Sequence, residues 1–166
     1  KYDSYTGIYG EDDSAALCLA QYYIKSGEAD KSDALLGKMQ NKKSKEYYLT
    51  KVDWYNKFGN DRYYVIATLL EAVAEHPAWA KAHLMLGLSY YEREDNTSAI
   101  YYLKKAHLLD SSDGYSLCYL GVISYDRGSY KAAEEYLSEA EKLAKNDSYL
   151  KNIIDTYKEC VARAVA

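Results

Sequence analysis

The chain has 166 residues, of which 48% are hydrophobic and 28% charged, and its formal net charge is -4. Its lysines alternate with acidic residues and form no basic stripe, so the composition argues against a nucleic-acid-binding protein. No run of about 18 apolar residues occurs, which argues against a membrane-spanning helix.

The first third of the chain predicts a lead segment and one helical hairpin. Residues 1–13 contain turn-forming residues and tyrosines without a clear period, so we expect them to be extended or poorly ordered. From Ser14, a candidate N-cap, apolar residues recur at helical spacing as far as Ser26. Gly27 then interrupts the pattern before a second helical segment that ends near Met39.

A polar, basic connector at 40–45 precedes a second pair of helical segments. Because no glycine-rich cradle accompanies its lysines, we interpret the connector as a solvated turn and not as a phosphate site. The helical patterns that follow run from about Lys45 to Phe58 and from Tyr63 to Glu75. They predict a second hairpin.

Residues 80–113 carry the most regular pattern, and residues 114–147 repeat it. The first stretch places Leu86, Gly87 and Tyr90 on one helix face, and Ala99, Leu103 and Ala106 on the face of a following helix. When this pattern is moved along the chain by its own length, its first-helix positions fall on Leu120, Gly121 and Ser124. Its second-helix positions fall on Ala133, Leu137 and Ala140. Asp147 and Ser148 can then cap a last, amphipathic helix.

This pattern resembles the tetratricopeptide repeat, whose signature is Leu-Gly-x-x-Tyr followed by Ala-x-x-x-large-x-x-Ala within a repeat of about 34 residues. The template predicts repeats at about 13–45, 46–79, 80–113 and 114–147 and a capping helix at 148–165. The resemblance implies an all-α fold, a right-handed superhelical solenoid of antiparallel helix hairpins. Asp53 departs from the pattern at a position that is normally small, so we expect it to face solvent or to pair with a cation such as Arg62.

In that family the first helix of each hairpin lines a concave groove that binds other proteins. The predicted groove residues are the first-helix positions that hairpin packing does not use: Tyr47, Trp54, Lys57, Phe58, Lys81, Leu84, Leu88, Tyr91, Glu92, Tyr115, Tyr125 and Asp126. Trp54, Phe58, Tyr91 and Tyr125 are the expected anchors, because large aromatic residues most often carry interface energy. Cys118 and Val122 lie at equivalent positions of a first helix, but we expect them to belong to the core.

The chemistry of this groove favours one class of ligand. The polar clamp with which some family members hold a C-terminal carboxylate is missing, since Trp54, Leu88 and Val122 occupy its central places. An apolar peptide or an amphipathic helix of another protein fits better. Alternatively, the chain fills the groove itself with its lead segment or its last helix.

The resemblance therefore implies a non-catalytic adaptor, and two other functions stay open. One is a secretion-type chaperone that holds a client protein. The other is an envelope assembly protein that self-associates, which the 21 tyrosines would suit. Tyrosine pairs recur in the helices, where one member of each pair can serve the core while the other turns outward. Alternatively, tyrosine simply replaces other large residues in the hairpin seams.

Catalytic and metal-binding motifs are not found in the sequence. His76, His83 and His107 have neither the mutual spacing nor the cysteine partners of a zinc site, so we expect no metal and no cofactor. The three cysteines are far apart and are interpreted as free thiols, which leans towards the cytoplasm. Since the chain begins with Lys1, a processed periplasmic or envelope protein is also compatible with the sequence.

Overall fold

The computed structural model describes residues 12–59 and 61–166. In these ranges the chain forms nine α-helices and no strand. The helices are α1 (Asp13–Ser26), α2 (Ala29–Lys38), α3 (Lys45–Phe58), α4 (Arg62–Glu75), α5 (Ala80–Tyr91), α6 (Asn96–Leu109), α7 (Gly114–Asp126), α8 (Tyr130–Leu143) and α9 (Ser148–Val165). The all-α prediction is confirmed. Most of the predicted lead segment, residues 1–11, lies outside the described residues.

Short polar side chains set the starts of most helices by accepting the first backbone N–H groups. Asp12, and not the predicted Ser14, caps α1, and its carboxylate accepts the N–H of Ser14. The aspartates that cap α7 and α9, Asp113 and Asp147, are separated by the length of one repeat. The repeat therefore includes the N-cap residues as well as the helices.

The turns of the α1–α2, α5–α6 and α7–α8 hairpins use left-handed backbone, which glycine adopts at the lowest cost. Gly27 ends α1 with φ of 85°, and Gly128 follows α7 with φ of 72°. Glu94 occupies the place equivalent to Gly128 in the α5–α6 turn, with φ of 62°.

The chain divides into two compact units, the first ending at His76 and the second running from Pro77 to Ala166. In the first unit, α1 packs on α2 and α3 packs on α4, while α3 also contacts α1 and α2. Buried apolar residues such as Ala20, Leu36, Val52 and Leu69 form its core. Asp53 is exposed, so its carboxylate avoids the desolvation that a buried place would impose.

In the second unit, α5 packs on α6, α7 packs on α8, and α9 covers α7 and α8. The small residues of the repeat signature let the paired helices approach closely. A Cβ atom on Gly87 would lie 2.6 Å from Leu103 Cγ, and one on Gly121 would lie 2.7 Å from Leu137 Cγ. The predicted core residues Leu103 and Leu137 are fully buried at these contacts.

Candidate functional site

Two of the four predicted groove residues of the first unit, Trp54 and Lys57, donate hydrogen bonds to the unit's own backbone. Tyr47 is buried, while Trp54 and Phe58 are half-buried with their rings 5.6 Å apart. The indole Nε1 of Trp54 donates to the carbonyl oxygen of Ala29 at 3.3 Å. Lys57 is exposed, and its Nζ donates to the carbonyl oxygen of Lys25 at 2.7 Å. These contacts tie α3 to the first hairpin.

In the second unit, the groove positions of α5 form a row with graded exposure. Leu84, Leu88 and Tyr91 are half-buried and follow one another at helical spacing. Lys81 and Glu92 are exposed at the two ends of the row. Apolar side chains of this row are therefore accessible, with a charge at each end.

The groove positions of α7 differ from one another in burial. Cys118 and Val122 are fully buried, as expected for core residues. Burial raises the pKa of the Cys118 thiol to about 12, which makes it a poor nucleophile at neutral pH. Tyr115 and Tyr125 are half-buried, and Asp126 is exposed.

Tyr91 connects the C-terminal ends of α5 and α7. Its hydroxyl donates to Asp126 Oδ2 at 3.1 Å, and its ring meets the edge of Tyr119 with centroids 5.9 Å apart. Burial, followed by the nearby Asp126 carboxylate, raises the pKa of Tyr91, so the hydroxyl stays protonated and can donate. Tyr119 was not among the predicted residues, although its position four residues after Tyr115 places it on the same helix face.

The other two predicted groove tyrosines of the second unit make contacts that involve α9 or its cap, and Tyr91 itself is hydrogen-bonded to Tyr157 of α9. Tyr115 donates to Asp147 Oδ2 at 2.7 Å, and burial together with this carboxylate raises its pKa to about 12. Tyr125 lies edge-on to Tyr157 of α9, with ring centroids 5.7 Å apart. The last helix therefore occupies part of the surface in front of α7, and what remains accessible is centred on α5 and the near side of α7.

We call this surface the α5–α7 face. It consists of five half-buried apolar or aromatic residues and three exposed charges at its rim: Leu84, Leu88, Tyr91, Tyr115, Tyr119, Lys81, Glu92 and Asp126. Accessible leucine and tyrosine side chains can gain free energy by burial against another molecule, and tyrosine hydroxyls can also form hydrogen bonds.

Other chemistry has little support in the part of the chain that the structure describes. No group of three or more His, Cys, Asp or Glu side chains there is arranged to hold a metal ion. His83 is buried, and its Nε2 lies 2.9 Å from the carbonyl oxygen of Pro77. No helix among residues 12–59 and 61–166 is both long and apolar enough to cross a membrane.

Several solved structures resemble this chain over most of its length. The structure of MamA superposes with a TM-score of 0.74 and 19% identity, covering 89% of this chain and 87% of MamA. A thermophilic tetratricopeptide-repeat protein of Thermus thermophilus gives a TM-score of 0.70 with 19% identity, covering 94% of this chain and 86% of the other. A tetratricopeptide-repeat protein of Parabacteroides merdae gives 0.66 with 16% identity, covering 95% of this chain and 62% of the other.

No protein-family model and no curated protein matches the sequence. The structural likenesses, with identities of 16% to 19%, concern the fold. They confirm that the chain has the fold of a tetratricopeptide-repeat protein, as the repeat pattern predicted.

Proposed function

We propose that this chain, a repeat protein with the tetratricopeptide fold, is a non-catalytic module that binds an apolar peptide or an amphipathic helix of another protein. The observation that carries the proposal is the α5–α7 face, where Leu84, Leu88 and Tyr91 remain partly accessible beside Tyr119. Partly exposed apolar residues in a continuous patch mark interaction surfaces more often than scattered ones do.

The arrangement of the face favours a segment that contributes side chains at regular intervals. Leu84, Leu88 and Tyr91 follow the i, i+4, i+7 spacing of one helical face, which is the spacing at which helix-in-groove partners present their own anchors. Leu84 and Leu88 are already half-buried, so each can gain only part of the roughly 1.5–3 kcal/mol that fully burying an exposed leucine is worth, and a partner must bury several such side chains to bind tightly.

Substitution of Leu88 provides the direct test. We expect Leu88→Lys to weaken the binding of peptides selected on the wild-type protein from a random phage-displayed library by about 10-fold or more, because each loss of about 1.4 kcal/mol is a factor of ten. Fluorescence anisotropy with labelled peptides measures the affinity. The matched control is Leu108→Lys, since Leu108 lies on α6 and its side chain is 84% exposed.

Circular dichroism must first show that both variants keep the helical content and thermal midpoint of the wild type. Equal binding by wild type, Leu88→Lys and Leu108→Lys would contradict the proposal for this face. If Leu88→Lys loses helical structure, Leu88→Gln, which is neutral and close in volume, makes the same comparison.

The two alternative functions predict different behaviour of the purified protein. A chaperone would keep a client soluble in a stable complex, and expression of the client without it would leave the client insoluble. An assembly protein would form oligomers at micromolar concentration, which light scattering measures. A monomer that binds selected peptides through Leu88 supports the adaptor.

A further inference from the structure

The rim of the α5–α7 face carries negative charge where its own helices disfavour it. Asp126 is the last residue of α7, and Glu92 directly follows α5. The C-terminal end of a helix carries a partial negative charge and favours cations, yet neither helix has a basic residue in its last turn. Two carboxylates are thus added to two negative helix ends.

The same rim is ordered by contacts with the aromatic residues of the face. Tyr91 donates its hydroxyl hydrogen to Asp126 Oδ2, which places this carboxylate beside the end of α5. Glu92 lies close enough to Tyr119 to help raise the pKa of that phenol, after the larger effect of burial. The segments 92–95 and 126–127 contain four carboxylate residues and only two arginines, Arg93 and Arg127.

The opposite end of α5 has the opposite charge. Lys81 is exposed in the first turn, eleven positions before Glu92, or about 16 Å along the helix axis at about 1.5 Å per residue. The face therefore has a lysine at one end, where Asp147 also accepts from Tyr115, an apolar middle at Leu84 and Leu88, and an acidic end at Glu92 and Asp126. A ligand that matches it has an apolar part followed by a positive charge.

We infer that the peptide or helix bound on the α5–α7 face carries a lysine or arginine that pairs with Asp126 and Glu92, while its apolar side chains contact Leu84 and Leu88. This inference rests on the proposed function and specifies its ligand. The rise from Leu84 to Tyr91 is about 10 Å, which corresponds to about three residues of an extended partner.

A charge-reversal experiment tests this pairing. Peptides selected on the wild-type protein from the random phage-displayed library are sequenced, and we expect lysine or arginine to be enriched on one side of their apolar residues. For one labelled peptide, Asp126→Asn is expected to weaken binding by about 2- to 5-fold, the range of exposed ion pairs. Asparagine keeps an oxygen that accepts from Tyr91, so the aromatic contacts are retained.

The matched control is Glu134→Gln on α8, which removes an exposed carboxylate from a helix that does not line the face. The decisive test combines the Asp126→Lys protein with a peptide whose basic residue is changed to glutamate. We expect this combination to bind more tightly than either change does alone. Selected peptides that need Leu88 but lack basic residues, or that bind Asp126→Lys unchanged, would overturn the inference and leave the proposed function standing. Failure to select any peptide that depends on Leu88 would overturn both.

Discussion

At the scale of single residues, the repeat signature was predictable because each of its positions has a local reason. Gly87 and Gly121 are small because Leu103 and Leu137 occupy the space that a Cβ atom would need. What the sequence could not give was the partner of each polar side chain. The Tyr115–Asp147 and Tyr91–Asp126 hydrogen bonds join residues that are 32 and 35 positions apart, so they depend on the packing of the helices.

The tyrosine pairs followed the prediction only in part. Tyr22 and Tyr101 are exposed beside half-buried partners, as expected. Tyr47 and Tyr48 are both buried, because α3 contacts α1 and α2 as well as α4. Tyr63 and Tyr64 are both exposed, in the first turn of α4.

A pair of glycine substitutions tests the close approach of α7 and α8. We expect Gly121→Ala to lower the free energy of unfolding by roughly 1–3 kcal/mol, since the added methyl group overpacks against Leu137. Gly37→Ala is the control, because nothing lies within 4 Å of its Cβ position and Gly37 is the second-to-last residue of α2, so alanine should leave the free energy of unfolding unchanged or slightly raised. Urea denaturation measures both, and a Gly121→Ala variant as stable as Gly37→Ala would contradict the packing.

His83 gives the second unit a defined response to acid. Its Nε2 faces the Pro77 carbonyl, which can only accept, so this nitrogen carries the hydrogen, and Nδ1 has no hydrogen-bond partner among the described residues. Burial lowers the pKa of His83. The unfolded chain therefore binds this proton at a higher pH than the native chain does.

The free energy of unfolding should consequently fall as pH decreases below about 6.5, by at most about 1.4 kcal/mol per pH unit for this one proton. Above that pH the neutral, buried His83 contributes its full stabilisation. Below it the stabilisation decreases steadily, until His83 is protonated in the folded chain as well. Replacing His83 with glutamine should flatten the dependence. Denaturation curves of the wild type and of His83→Gln at several pH values measure it, and equal slopes for the two proteins would refute the role of His83.

At the scale of elements, the helices were predicted to within a residue or two because each carries its own periodicity and caps. The pattern that begins at Lys45 ends at Phe58 in the structure as well, and the one predicted from Tyr63 ends at Glu75. The surface in front of α7 was less predictable. The last helix could be recognised from its amphipathic pattern, but the contact of Tyr157 with Tyr125 depends on how α9 lies across α7.

The contribution of α9 can be measured with two substitutions on one helix. Ile154 is fully buried against the core of the second unit, and we expect Ile154→Ala to cost roughly 2–5 kcal/mol through lost contacts and the cavity left behind. Val165, 64% exposed on the same helix, is the control, and Val165→Ala should change the stability by less than about 0.5 kcal/mol. Similar effects of the two changes would mean that α9 does not close this core.

At the scale of the whole molecule, each compact unit contains one of the two tryptophans, Trp54 in the first and Trp79 in the second. Tryptophan fluorescence can therefore follow each unit separately after the other tryptophan is replaced by phenylalanine. Because each unit has its own buried core, Ile154→Ala should lower the urea midpoint reported by Trp79 more than the midpoint reported by Trp54. Equal shifts of the two midpoints would show that the units unfold as one.

The equal spacing of Asp113 and Asp147 bears on how this chain can change in length. Each aspartate closes one hairpin and starts the next helix, and α9 packs on α7 and α8 much as α7 packs on α5 and α6. A second copy of residues 114–147 inserted before Ser148 would meet the same junction at both of its ends. Growth by whole modules would then leave α9 in its present role, whereas an insertion that is not a whole number of repeats would put the apolar stripe of α9 out of phase with the helices before it.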